Sequence, residues 1–298
     1  MEKFRPHFTI LDAPSILGLH PCGVENLPQA LKAAGLMTSL NAKYAGRVEP
    51  LPYDPGRDKE TLLLNPKGIR EYSLQLERKV SELLRNELFP LVLGGDCSIL
   101  IGTLLALRRT KKKFGLFFID GHADFYQPEA SLTGEVADME LALVSGRGPD
   151  ILANIGGLKP LVRDQDVVVF GYRDAEQSAG YGSQDVRDTD MCVFDLSKIR
   201  EVTIAKAASM AARRLLKQKL DGFWIHLDAD VLDDEIMPAV DYRLDGGLSF
   251  CELSDLISIL FRSGCPVVGM TITIFNPNMD LDGSTARKFV SSLIIGLS

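Results

Sequence analysis

A mainly parallel β-sheet covered on both faces by helices, an α/β fold, is what this sequence predicts. Three observations carry the prediction. Short apolar runs that end in small or acidic residues recur along the 298 residues, helical patterns lie between them, and the two alternate without a Pro/Ser-rich linker, a repeat or a low-complexity tract. Residues 1–298 therefore read as one domain, with 46% hydrophobic residues to form its core.

The apolar runs are taken first. Residues 89–93 precede Gly94-Gly95-Asp96, 114–119 precede Asp120, 167–170 precede Gly171, 223–227 precede Asp228, and 267–274 precede Asn276-Pro277. Apolar runs of this length, bounded by turn formers, suit strands buried on both faces. Helical patterns occupy 67–86, 98–109, 204–219, 249–262 and 284–294, several of them introduced by Ser, Thr or Asn in the capping position. Segments 51–64 and 175–187 read as excursions over the surface. In parallel sheets ligands gather beyond the carboxyl ends of the strands, which is where the acidic residues of this sequence sit.

Bulk charge narrows the partners. A formal net charge of -7, from 33 Lys and Arg against 40 Asp and Glu, leaves no basic stripe for nucleic acid. The run Arg108-Arg109-Thr110-Lys111-Lys112-Lys113 reads as a solvated helix end. Five scattered cysteines form neither a disulfide framework nor a CxxC metal knuckle, so a reducing cytoplasm is the expected location. The opening residues are charged and lack an apolar signal core, and no apolar stretch is long enough to span a membrane.

Two segments carry chemistry. In Asp120-Gly121-His122-Ala123-Asp124 a strand runs into two carboxylates bracketing an imidazole, and in His226-Leu227-Asp228-Ala229-Asp230 alternation puts an imidazole and two carboxylates on one face. Each alone fits a turn, a helix cap or a solvated strand end. Together they bring four carboxylates to the ends of two buried strands, where like charges repel unless protonated or neutralised by a cation. Asp and His donors suit a divalent ion such as Mn(II). A third segment, Gly94-Gly95-Asp96-Cys97-Ser98, joins a strand to a helix through a glycine pair and a capping-type residue.

In order along the chain, Gly94-Gly95-Asp96-Cys97-Ser98, Asp120-Gly121-His122-Ala123-Asp124 and Asp228-Ala229-Asp230-Val231-Leu232-Asp233 resemble the three signature motifs of the ureohydrolase family, which includes arginases, agmatinases and formiminoglutamases. The likeness extends to Ala13-Pro14-Ser15, to the segment from Gly23 to Leu31, to Gly246-Gly247-Leu248 and to Asn276-Pro277, and so spans nearly the whole chain. The resemblance implies a three-layer α/β/α fold with a mainly parallel eight-stranded sheet, assembly as a trimer or hexamer, and two Mn(II) ions per chain. It also implies hydrolysis of linear carbon–nitrogen bonds in a guanidino or amidino small molecule, through a hydroxide bridging the metals. Carried over, Asp120 and Asp228 bridge the metals, Asp124 completes one site, and His122 with Asp230 completes the other. Asp230, or a neighbour such as Asp233, relays a proton to the leaving nitrogen.

Three positions depart from the family pattern. Cys97 stands where most members have a histidine ligand, and a thiolate prefers softer ions than Mn(II). It ligates another metal such as zinc, or stands aside with water in its place, or marks an empty site, or is a buried structural thiol; standing aside is the preferred reading. A branch acting on N-hydroxyarginine resembles this sequence in that cysteine and in Asp120-Gly121-His122-Ala123-Asp124-Phe125. Ala137 falls where a histidine proton shuttle is expected, with Asp138 and Glu135 as candidate replacements. Ile274 falls where a glutamate pairs with the guanidinium. Glu135 and Asp241, with Glu129, Tyr242 and Arg243 beside them, are candidates to read a different substrate, though each also reads as an ordinary surface residue. The alternative to an enzyme with an altered substrate is a catalytically silent relative acting as a binding or regulatory subunit, against which stand five retained ligands that are costly to bury without metal.

Overall fold

The computed structural model describes residues 6–298; the charged segment 1–5, whose lack of a signal core was noted above, lies outside the described residues. Eight strands form one sheet: β1 (Phe8–Ala13), β2 (Lys43–Arg47), β3 (Phe89–Gly94), β4 (Phe114–Ile119), β5 (Val167–Phe170), β6 (Cys192–Phe194), β7 (Gly222–Asp228) and β8 (Val267–Thr273). Their order is β2-β1-β3-β8-β7-β4-β5-β6, and every neighbouring pair is parallel. Among the described residues, no helix is long and apolar enough to cross a membrane.

Because strand side chains alternate, the sheet supports two cores. Phe223, Ile225 and Leu227 of β7 pack with the helices Leu27–Ala33, Ile204–Lys217, Phe250–Phe261 and Ser284–Leu297 on one face. Trp224 of the same strand packs on the other, with the helices Pro66–Arg85, Ile99–Arg108 and Glu140–Val144. The Phe250–Phe261 helix opens with a full capping box between Ser249 and Glu252, as its sequence leads one to expect.

The five long apolar runs and the five helical patterns are found within a few residues of their expected bounds. β2 and β6 were not anticipated. The former is a largely exposed edge strand and the latter spans three residues, so neither shows the continuous apolar run of a central strand. Segment 51–64 crosses the surface as expected. Arg57 within it reaches Pro128 O at 2.8 Å and Ser131 O at 2.9 Å, tying this excursion to the loop that follows β4.

Candidate metal centre and its cleft

Strands β3, β8, β7 and β4 are neighbours, and their carboxyl ends assemble the site. β4 stops at Ile119, and Asp120 begins a tight loop in which Gly121 is required: a Cβ there would lie 2.5 Å from Arg173 Nη1 and 2.7 Å from Asp230 O. Asp124 adopts φ 44, a left-handed conformation that Asp tolerates better than most residues. β7 ends at Asp228, whose carboxylate caps the following turn by accepting from Asp230 N at 2.8 Å. A further glycine, Gly95, lets the loop after β3 pass beneath Ser15, whose carbonyl oxygen would otherwise be 1.8 Å from a side chain.

The loops are sewn together by their own donors. His122 Nδ1 and Asp230 Oδ2 are 2.8 Å apart, Gly121 N donates to Asp230 Oδ1 at 2.9 Å, and His122 N donates to Asp120 Oδ1 at 2.7 Å. Cys97 Sγ donates to Asp228 Oδ2 at 2.8 Å and lies 3.0 Å from Thr273 Oγ1. Two groups of potential ligands result, Asp120 with His122 and Asp124, and Asp120 with Asp228 and Asp230; in each, one ligand atom per residue lies within 4.8 Å of the others.

Charge is crowded here. Burial, reinforced by neighbouring carboxylates, pushes Asp120, Asp124 and Asp228 well above the usual carboxylate range. Burial also opposes ionisation of His122, but the adjoining Asp230 carboxylate outweighs it and holds the imidazole up at about 9. Asp230 in turn overcomes its burial through His122 and stays below the usual range. Asp120 Oδ2 is buried without any hydrogen-bond partner. Oxygen donors with one imidazole, too many to be charged together unaided and with one oxygen left unpaired, fit a hard divalent cation.

The centre opens into a cleft lined by His122, Asp124, Asp228 and Asp230 at its base and by Leu19, Tyr126, Leu132, Ala137, Asp138, Tyr181, Asp241, Tyr242 and Ile274 above them. Of the residues singled out from sequence for substrate or proton transfer, Asp138, Asp230, Asp241 and Tyr242 face this cleft. Burial and the charge of Glu135 raise Asp138 to about 7, and Asp241 accepts from Cys22 Sγ at 3.0 Å. Glu135 is wholly buried and does not line the cleft; its carboxylate is occupied by the ring of His20 and by Tyr242 OH at 2.5 Å. Asp233 accepts from Glu235 N at 3.0 Å, and Arg243 pairs with Asp234, both away from the cleft. Ala137 and Ile274 leave its wall apolar where acid–base and carboxylate groups were sought.

Sequence reasoning missed three supporting residues, Asp174, Arg173 and Glu140, and aimed a fourth, His226, at the wrong partner. Asp174 accepts from Ala123 N at 3.0 Å, and Arg173 donates to Asp230 O at 3.0 Å, so both fix the loops that carry the ligands. Glu140 is buried at the start of a short helix, and His226 turns towards it instead of towards Asp228. Nothing in the spacing of Arg173, Asp174 and Glu140 advertised them.

The arginase family model matches residues 8–296. An arginase of Staphylococcus aureus is 30% identical over 294 residues, covering 95% of this chain and 94% of that one. Among solved structures, arginase from Bacillus cereus superposes with a TM-score of 0.86 at 26% identity, covering 99% of each chain. Arginase from Bacillus caldovelox superposes with a TM-score of 0.88 at 25% identity, again covering 99% of each.

Proposed function

We propose, from the premise that this chain belongs to the arginase family, that it hydrolyses a linear carbon–nitrogen bond in a guanidino or amidino small molecule other than arginine, with two divalent cations, Mn(II) foremost. The observation that carries this reading is the convergence of Asp120, His122, Asp124, Asp228 and Asp230 at the base of one cleft. These five side chains would hold the cations. When bound, such ions supply Lewis acidity that brings the ionisation of water into the neutral range.

The chain's own residues account for the rest. Asp138, on the cleft wall near His122 and Asp124, holds or returns a proton where Ala137 cannot. Asp230 is kept ionised by His122 and oriented by Gly121 N, which supports its reading as a ligand and as an acceptor for a proton at the base of the cleft. Asp241 and Tyr242 offer polar contacts to the distal part of a substrate. The apolar Ile274 presents no carboxylate to a cationic guanidinium, which favours a substrate whose reacting group is less basic, as an N-hydroxyguanidine is. We extend the reading to a cytoplasmic homo-oligomer, a trimer or hexamer, on the strength of the family membership alone.

A second reading, a silent relative serving as a binding or regulatory subunit, is favoured by Cys97, Ala137 and Ile274. One experiment separates the two. The purified chain is reconstituted with Mn(II), its metal content is measured beside an Asp120→Asn, Asp228→Asn double variant, and guanidino and N-hydroxyguanidino compounds are screened for released urea or hydroxyurea. About two Mn per chain, lost in the double variant and accompanied by turnover, is the expected result. No bound metal and no turnover would put the silent relative in front.

A further inference from the structure

The face of the sheet that carries the cleft also holds, beneath it, donors that the family's ligand pattern leaves unused. Glu140 is wholly buried, and neither of its carboxylate oxygens has a hydrogen-bond partner. His226 is wholly buried on β7; Thr271 Oγ1 occupies its Nδ1 at 2.9 Å, and its Nε2 is unpartnered, 3.9 Å from Glu140 Oε1. Asp120 Oδ2 is unpartnered as well. With Cys97 these residues form a group of four in which one ligand atom from each lies within 4.8 Å of the others.

An apolar interior does not ordinarily keep so many polar atoms unsatisfied. The plain structural alternatives are a protonated Glu140 that donates to a neutral His226 or one that shares its proton with the neighbouring Asp124 carboxylate. The first is too long at 3.9 Å, and the second satisfies Glu140 but still leaves His226 Nε2 and Asp120 Oδ2 without partners. A single cation among the four side chains gives a partner to His226 Nε2, to Asp120 Oδ2 and to one oxygen of Glu140. Phe118, stacked on the His226 ring at 5.0 Å, holds the imidazole in the plane from which Nε2 meets Glu140.

We propose that Cys97, Asp120, Glu140 and His226 form a cation site that selects a borderline ion such as Zn(II), with Asp120 shared between it and the carboxylate-rich centre above. One thiolate, one imidazole and two carboxylates make a four-coordinate set of the sort zinc takes, whereas Mn(II) favours oxygen-rich surroundings. The ligand atoms of a tetrahedral zinc lie roughly 3.5 Å apart, so the four side chains need only close in by about an ångström. The thiol proton of Cys97, now given to Asp228 Oδ2, leaves for solvent as the sulfur binds the ion. Where the family resemblance looks for an imidazole after β3, this chain supplies one from β7. The inference rests on the proposed function only in taking Asp120 as a metal ligand, and it replaces the preferred sequence reading that Cys97 stands aside.

The test loads the metal-free full chain with cobalt(II) and follows both the bound equivalents and the thiolate-to-cobalt charge-transfer band in the near ultraviolet. The expected result is a band that disappears in Cys97→Ser and also in Glu140→Gln and His226→Gln, each variant losing one equivalent. His122→Asn, a change in the upper centre alone, should lose metal from that centre and keep the band. No band, or a band indifferent to Glu140 and His226, overturns this proposal while leaving the upper centre intact. A band in a chain whose count ignores His122→Asn overturns the upper centre instead. Should the variants not fold, crystals of the unmodified chain grown with zinc decide by anomalous scattering: a peak bonded to both Cys97 Sγ and His226 Nε2 supports the site, and a peak elsewhere or none overturns it.

Discussion

The thiol of Cys97 donates to Asp228 Oδ2 at 2.8 Å, joining the loop after β3 to the end of β7 across the intervening strand β8. In the metal-free chain the bond makes Cys97 part of the scaffold of the centre, because Asp228 belongs to the carboxylate group that also contains Asp120 and Asp230. Thr273 on β8 supports both partners, at 3.0 Å from the sulfur and 3.5 Å from the same carboxylate oxygen.

That bond sets a stability prediction. Cys97→Val keeps an apolar side chain of similar volume but removes the donor, leaving a buried carboxyl oxygen underpaired at a cost of about 1–2 kcal/mol. Urea unfolding of the metal-free chain should show that loss as a lower midpoint with an unchanged slope. An equal or higher midpoint would mean that Thr273 alone satisfies Asp228.

Metal-free protein should lose stability as the pH rises. Asp120, Asp124, Asp228 and Glu140 keep their protons in the fold well above the usual carboxylate range, chiefly through burial, while the unfolded chain releases them near pH ~4. Over that interval the folded state binds more protons, so each increment of pH favours unfolding. His122 acts in the same direction: its contribution is complete below 6.5 and is lost as the pH passes about 9. Asp230, held low, contributes stability that is lost only as the pH falls below the usual carboxylate range. The Tm in a chelator should therefore fall between about pH 5 and about pH 8, and saturating Mn(II) should remove or reverse the slope. A metal-free Tm that rises across this range would show that the carboxyl cluster is not as deeply buried as the fold places it.

Asp138 should shape the pH–rate profile. A carboxyl raised to about 7 by burial and by Glu135 exchanges its proton near neutrality. With Ala137 beside it on the cleft wall, it is the group positioned for acid–base work. Asp138→Asn should lower kcat by about 10²-fold and erase the limb of the profile near pH 7. Steady-state kinetics on whichever guanidino compound proves active checks this, and a parallel drop at every pH with the limb intact would make Asp138 a structural residue.

The central strands and the convergence of the five candidate ligands were legible because each is encoded locally: an apolar run stops, and carboxylates follow at a spacing of two. What was illegible depends on residues far apart in the chain. Glu140 sits among apolar neighbours at the start of a short helix, and only the packing of that helix over β7 brings it to His226. His226 was read as facing Asp228 from two positions away, yet Thr271 on the adjacent strand fixes its ring elsewhere. Glu135 looked like a loop acid free to meet substrate, and burial beneath His20 and Tyr242 became visible only in three dimensions. Charge and spacing reveal ligands that share a loop; they do not reveal a partner supplied by another layer of the fold.

Ile274 offers a test of the altered substrate proposed above. It lies in the cleft wall at φ 69, a left-handed conformation that β-branched residues rarely adopt, and its backbone N–H is anchored to Gly95 O at 2.9 Å. The conformation is thus fixed by the loop, and a different side chain there would inherit the same direction into the cleft. Ile274→Glu puts a carboxylate within that wall, and one charge-assisted contact to a guanidinium contributes about 1.5–3 kcal/mol. Release of urea from arginine or agmatine should rise by roughly 10- to 100-fold in kcat/KM, mostly through a lower KM. Because a left-handed β-branched residue is replaced by one that tolerates the region slightly better, the change should not unfold the chain, and a thermal melt verifies that independently. An Ile274→Gln variant should show little of the gain. If glutamate and glutamine behave alike, the missing charge at this position is not what sets the substrate apart, and the distal contacts at Asp241 and Tyr242 become the place to look.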